Sequence, residues 1–182
     1  MLFGCLLRLM KKYKLCDILY VIVGGLMEKI YMDIISIKEN RMLLEEYIKL
    51  CSLEWGTPRS EDELNERIKI KADKILSHQD NKLISVLGLI EDDKLAGFIS
   101  LFKYDGEERT DLTPWYATMY VKKEYRGKGY SQVLNDAILK EAKKLGYEKI
   151  YLKSDLVNYY EKFGAKYIEE LNDGEKLYYI EV

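Results

Sequence analysis

The chain has 182 residues, 48% of them hydrophobic, with 29 Lys and Arg against 31 Asp and Glu and a net charge of -2. That length suits one domain, and interspersed, near-neutral charge excludes the electrostatic footprint of a general nucleic-acid binder. Cys5, Cys16 and Cys51 form no CxxC pair and have only His78 for company, which excludes a structural zinc site and fits reduced thiols in a cytoplasm better than a disulfide framework.

Residues 1–29 form an apolar extension, "MLFGCLLRLMKKYKLCDILYVIVGGLMEK". Its second apolar run, Leu15 to Met27, contains Asp17 and two glycines. It is shorter than the roughly 20 apolar residues a spanning helix needs, so no membrane span is expected. Lys11, Lys12 and Lys14 follow an apolar stretch, the reverse of a signal peptide. Three readings stay open: an extra helix packed on the domain or on a partner, a membrane-surface anchor, or a non-native stretch upstream of a true start at Met27 or Met32. The last is preferred, because residues 30–182 read as one complete domain.

Within that domain, "KIYMDIISIK" is Ile-rich and alternating, a strand pattern. Asn40 caps a helix to about Glu54, with Met42, Leu43, Tyr47 and Leu50 along one stripe. "WGTPRSEDEL" breaks it. Ser60 and Glu63 form a capping-box signature that opens a second helix to about Ser77. "LISVLGLI" and "LAGFISLF" flank the polar turn "EDDK", a hairpin signal. A charged loop, Asp105 to Asp111, leads into the strand "PWYATMYV". A third helix starts after Gly129 and stops at Gly146. The strand "EKIYLK", a short helix across "LVNYYEKF" and a terminal strand pair, "AKYIEEL" and "KLYYIEV", complete the chain. This order predicts an α/β (α+β) fold with a mixed, largely antiparallel central sheet and helices on both faces.

The stretch "EYRGKGYSQVL" carries the chemistry. A helix start projects unpaired amides and the positive end of its dipole. Gly127 and Gly129 let backbone approach a ligand without Cβ hindrance, and Arg126 and Lys128 add cations, with Lys122 and Lys123 upstream. Such a start binds anions, phosphate above all; the plainer reading is a turn. A P-loop would need GxxxxGK followed by Ser or Thr, and a dinucleotide fingerprint a third glycine where Gln132 stands. Neither is met.

"YRGKGYS", with Arg126, Gly127, Gly129 and Tyr130, resembles motif A of the Gcn5-related N-acetyltransferases (GNAT family), and "YYEKFGA", Tyr159 to Ala165, resembles that family's "LYEKxGF" segment. The resemblance extends from about Ile30 to the C-terminus. It implies a GNAT-like acyl-CoA N-acyltransferase fold and acetyl-CoA as co-substrate, without a metal. The pyrophosphate would lie on the amides from Arg126 to Ser131. Pantetheine would run along Met119, Tyr120 and Val121, with Tyr160 and Lys162 close to the co-substrate. The strands "WYATMYV" and "EKIYLK" would splay apart around the acetyl group. Tyr160 would protonate the departing thiolate, with Tyr159 as the backup donor and a core aromatic as the plainer role. Lys153 stands where many members place an asparagine that contacts pantetheine; Asp155 or Ser154 would then serve that side. The family's terminal strands often pair across a homodimer.

A protonated amine cannot attack a thioester, so a base or water chain is needed. Asp111 is the candidate base, with Glu107 and Glu108 in the same loop; a solvated charged loop is the plainer reading of all three. Trp115 is the candidate acceptor-site wall. His78, at a helix end, reads as a surface or capping residue, and Cys51 as a buried thiol. The leading reading is thus a cytoplasmic N-acetyltransferase that passes the acetyl group directly to a small-molecule or peptide amine in a ternary complex. The rival is a non-catalytic acyl-CoA-binding regulatory domain.

Overall fold

In the computed structural model the described residues are 16–23, 26–106 and 108–182, with side chains described from Tyr31 onward. Among the described residues, eight strands form one sheet in the order β1-β2-β3-β4-β5-β6-β8-β7. They are β1 (Cys16–Val23), β2 (Leu26–Ser36), β3 (Leu83–Glu91), β4 (Lys94–Phe102), β5 (Trp115–Val121), β6 (Lys149–Ser154), β7 (Lys166–Glu170) and β8 (Lys176–Glu181). Helices α1 (Arg41–Glu54), α2 (Glu61–Leu76) and α3 (Tyr130–Lys144) cover it. Every neighbouring pair is antiparallel except β5 and β6. The mixed, largely antiparallel sheet expected from the chain order is therefore present.

The helix boundaries follow local chemistry. Asn40 Oδ1 accepts the Leu43 amide at 3.2 Å, and Ser60 Oγ accepts the Glu63 amide at 3.1 Å, each satisfying an orphan donor of a first turn. Glu63 reaches back to the Arg59 amide at 2.9 Å, one residue before the cap itself. α3 ends where the Gly146 amide bonds Lys143 O and the Tyr147 amide bonds Ala142 O, the paired bonds of a Schellman stop. His78, with φ 57°, lies just past the end of α2 and is exposed, as a capping residue should be.

The apolar runs of β3 and β4 are buried on both faces, which is why they do not alternate. Leu87, Leu89, Ile99 and Leu101 pack under Leu134, Ile138 and Ala142 of α3. Val86, Leu95 and Phe98 pack on the other side against Leu44, Tyr47 and Ile48 of α1 and Ala72 and Ile75 of α2. The expectation of helices on both faces is met.

Two elements differ from the sequence reading. Residues 16–23 are a strand paired with β2 from Cys16↔Asp33 to Val23↔Leu26, not the extra helix allowed for that extension; residues 1–15 lie outside the described residues. The short helix read across "LVNYYEKF" shrinks to a 3-10 turn, Glu161–Phe163. Asn158 turns left-handed at φ 57° inside that stretch, which breaks a helix there, and beyond the turn Gly164 turns left-handed at φ 84° while the Ala165 amide closes back on Tyr160 O at 3.1 Å.

Candidate active site

The parallel pair β5 and β6 shares a single register position, Trp115↔Tyr151. Past that point the strands diverge and leave backbone uncovered. A cleft of about 1270 Å³ opens there, bounded by Tyr116 to Met119 of β5 and Leu152 to Asp155, with Trp55 and Tyr160 also on its wall. A second cleft, of about 310 Å³, is lined by Val121, Arg126, Gly127, Gly129, Ser131 and Tyr159, among others. Trp55 and Met119 line both, so the two clefts adjoin at these residues.

The smaller cleft ends at the mouth of α3. Gly129, its N-cap, has φ 80° and ψ 10°, and no side chain among the described residues caps the helix. The amides of Gln132 and Val133 return to Gly129 O, while those of Gly127 to Ser131 meet no acceptor among the described residues. Among the described residues, a Cβ at Gly127 or Gly129 would meet nothing within 4 Å, so the space over the turn is open. Several orphan donors, the positive end of a 15-residue helix and an approach free of side chains suit a diphosphate.

The flanking cations divide. Arg126 lines the cleft; its Nε donates to Val121 O at 2.9 Å and its guanidinium stands 5.8 Å from the Tyr120 ring. Lys128 instead donates to Glu91 Oε1 at 2.8 Å. Glu91, only 5% exposed, also accepts the hydroxyl of the buried Tyr130. Lys128 is thus spent on an internal ion pair that ties the turn to the end of β3, not directed at the cleft as its position suggested. Lys162 lines neither cleft; its Nζ sits 3.8 Å from the centre of the Tyr159 ring.

Tyr160 lines the larger cleft and stands edge-on to Tyr116 at 5.9 Å. Burial, then the neighbouring Tyr159 and Asp155, push its hydroxyl up to about 12. Tyr159 faces the smaller cleft. The adjacent tyrosines therefore serve different spaces, and only Tyr160 reaches the gap between the splayed strands. Lys153 is held by Asp173 at 3.2 Å and Glu175 at 2.6 Å.

Two expectations are corrected. Trp115 is no wall of an open site: it is 1% exposed, donates its indole N–H to Leu112 O at 2.9 Å and packs with Leu171 and Leu177. Trp55, 54% exposed and lining both clefts, takes that place. Asp111 lines neither cleft. Arg109 grips it at 2.9 and 2.8 Å, and this bond holds its carboxyl below the usual range, which weakens it as a base. Glu108 accepts the amide and side chain of Asn172 at 3.1 and 2.7 Å, and Glu107 lies outside the described residues.

Sequence reasoning misses the loop's first acid, Asp105. It lines the larger cleft, half-buried, and among the described residues it forms no ion pair. Burial pushes its carboxyl up, with Lys153 opposing and Glu175 adding to the rise. Its signal in the sequence is its place as the first carboxylate after β4. Cys51 is half-buried and its thiol is pushed up to about 12 by burial, which suits an inert thiol.

Among the described residues no helix is long and apolar enough to cross a membrane. No match is found among curated proteins. Solved structures share the fold. PaiA N-acetyltransferase from Thermoplasma acidophilum in complex with coenzyme A is 22% identical, with TM-score 0.55, covering 83% of this chain and 99% of its own. An N-acetyltransferase from Staphylococcus aureus Mu50 is 19% identical, with TM-score 0.59 and coverage of 82% and 98%. An aminoglycoside 6'-N-acetyltransferase complexed with coenzyme A is 17% identical, with TM-score 0.60 and coverage of 82% and 96%. The family model for acetyltransferases of the GNAT family matches residues 41–165, a span that includes the uncapped helix mouth, the splayed strands and Tyr160; the chain belongs to that family.

Proposed function

We propose that the protein is an N-acetyltransferase that moves the acetyl group of acetyl-CoA onto a primary amine by direct attack in a ternary complex. The observation that carries this reading is the continuity of the two clefts: an anion-binding helix mouth opens, across Trp55 and Met119, into the gap that Tyr160 lines. The diphosphate would rest on the amides of 127–131, and pantetheine would follow the uncovered edge of β5 at Met119 and Val121.

The amine nitrogen attacks the thioester carbonyl carbon, the C–S bond breaks, and the new amide bond forms. The proton lost by nitrogen goes to Asp105, directly or through water, and the leaving sulfur receives the Tyr160 hydroxyl proton. Asp105 suits a base better than an exposed carboxylate does, since a raised pKa narrows the gap to an ammonium of about 10. A phenol at about 12 is a weak acid, but the thiolate formed in the same dry gap is raised by the same desolvation. Hydrogen-bond donation as charge develops on sulfur is then the larger part of the benefit.

Acids outnumber cations on the larger cleft, with Asp105, Asp155, Asp173 and Glu175 against Lys82 and Lys153. That balance draws in a cationic amine and supports an amine acceptor. We further assign the reaction to the cytoplasm, on the reduced-thiol reading of the cysteines.

Calorimetric titration with CoA, followed by thiol release from acetyl-CoA over a panel of amines, tests the proposal. Micromolar binding with amine-dependent release is the expected result. Binding without release on every amine would make the chain an acyl-CoA-binding domain instead.

A further inference from the structure

Thr118 has φ 51°, a left-handed backbone that a β-branched residue adopts only where its surroundings impose it. It lies at a break in the β4–β5 ladder. Ser100 faces Ala117, yet Phe98 faces Tyr120, so β5 carries one residue more than β4 across this step, a bulge.

The bulge decides which way β5 presents its side chains. In an unbroken strand Tyr116 and Tyr120 would share a face, because side chains alternate with period two. Here Tyr116 packs in the core under α3, and Met119 and Val121 go with it. Tyr120 joins the opposite core, where it stacks on Phe98 at 5.4 Å and meets Trp55 edge-on at 6.1 Å.

A chain of hydroxyls reaches this bulge from the far side of the sheet. Thr118 Oγ1 donates to Ser100 Oγ at 2.8 Å, and Ser100 Oγ donates to the Tyr47 hydroxyl at 3.0 Å. Ser100 and Tyr47 are both fully buried at 0% exposure, where a hydroxyl without a partner is costly. An extended Thr118 would turn its side chain toward α3, away from Ser100. The chain is complete only while Thr118 stays left-handed.

We propose that Tyr47 and Ser100 are positioning residues for the co-substrate channel: they hold Thr118 in its bulge and so set the faces on which Met119, Tyr120 and Val121 meet acetyl-CoA. This rests on the reading that acetyl-CoA lies along β5. Tyr47 and Ser100 themselves line neither cleft and act through Thr118.

The test uses the full chain with Ser100→Ala, Tyr47→Phe and the double variant Ser100→Ala/Thr118→Gly. Glycine adopts positive φ without strain, so it should keep the bulge when the hydroxyl chain is cut. Two quantities are read: CoA affinity by calorimetry and hydrogen exchange at the amides of 119–121. Each single variant should weaken CoA about tenfold and speed exchange at 119–121 by a similar factor, with β3 unchanged. The double variant should return both to within about threefold of the parent. Single variants that leave both quantities within about twofold would overturn the proposal, as would a double variant no better than Ser100→Ala. If the parent binds no CoA, the acetyl-CoA reading fails by itself, and the exchange data still decide whether the hydroxyl chain holds the bulge.

Discussion

Lys128 Nζ lies 2.8 Å from one oxygen of Glu91, and the other oxygen takes the Tyr130 hydroxyl. A carboxylate at the end of β3 thereby latches the turn that precedes α3. Glu91→Ala strands a buried hydroxyl and frees the turn, and should cost about 2 kcal/mol of stability. The same variant should weaken CoA binding severalfold. Lys128→Ala, which leaves Tyr130 bonded to Glu91, should do less in both respects. Urea unfolding and calorimetry check this pair.

Gly129→Ala separates folding from binding. The residue holds φ 80°, and a methyl there meets no atom of the described residues within 4 Å. The strain of a left-handed alanine, about 1 kcal/mol, leaves the protein folded. The methyl would nevertheless stand over the amides proposed to hold the diphosphate. CoA affinity should fall at least about tenfold while the thermal midpoint shifts by only a few degrees. Equal affinity in the variant would remove the helix mouth from the binding site.

Tyr160→Phe should lower kcat about a hundredfold with little change in CoA affinity, since the hydroxyl acts only as charge develops on sulfur. Tyr159→Phe should leave kcat within about twofold, because Tyr159 lines the other cleft. Steady-state kinetics on one responsive amine distinguish the two, and reversal of the order would move the acid to Tyr159.

Asp105 must be ionised to accept a proton. Burial raises its pKa, so kcat/KM should drop on acidification at a pH above the ordinary carboxylate value of about 3.9. Asp105→Asn should lose that limb together with most of the rate. Stability should show the opposite sign. A raised native pKa means the folded state disfavours the charged form, so the parent loses stability as pH rises through that value. Asp105→Asn should then be the more stable protein at neutral pH, with the advantage gone in acid. A pH series of activity and thermal midpoints tests both limbs.

Local signals were legible in the chain. Asn40 and Ser60 cap their helices with short-range bonds, Gly146 stops α3, and the doubly apolar runs of β3 and β4 announce strands buried on both faces. The uncapped turn at Gly127 and Gly129 and the tyrosine pair before Gly164 were readable for the same reason: each depends on residues within a few positions of one another.

Whatever depends on partners distant in sequence was decided by the tertiary structure. "PWYATMYV" reads as an even strand, yet Ser100 and Tyr47 hold a bulge at Thr118 that gives Tyr116 and Tyr120 to opposite faces. Lys128 reads as a phosphate ligand, but Glu91, 37 residues earlier, claims it. Asp105 and Asp111 look alike in one charged loop. Packing half-buried the first with no ion-pair partner among the described residues, and Arg109 neutralised the second. Short-range hydrogen bonding and periodicity are written along the chain, whereas the charge state and direction of a side chain depend on neighbours that only the folded sheet brings near.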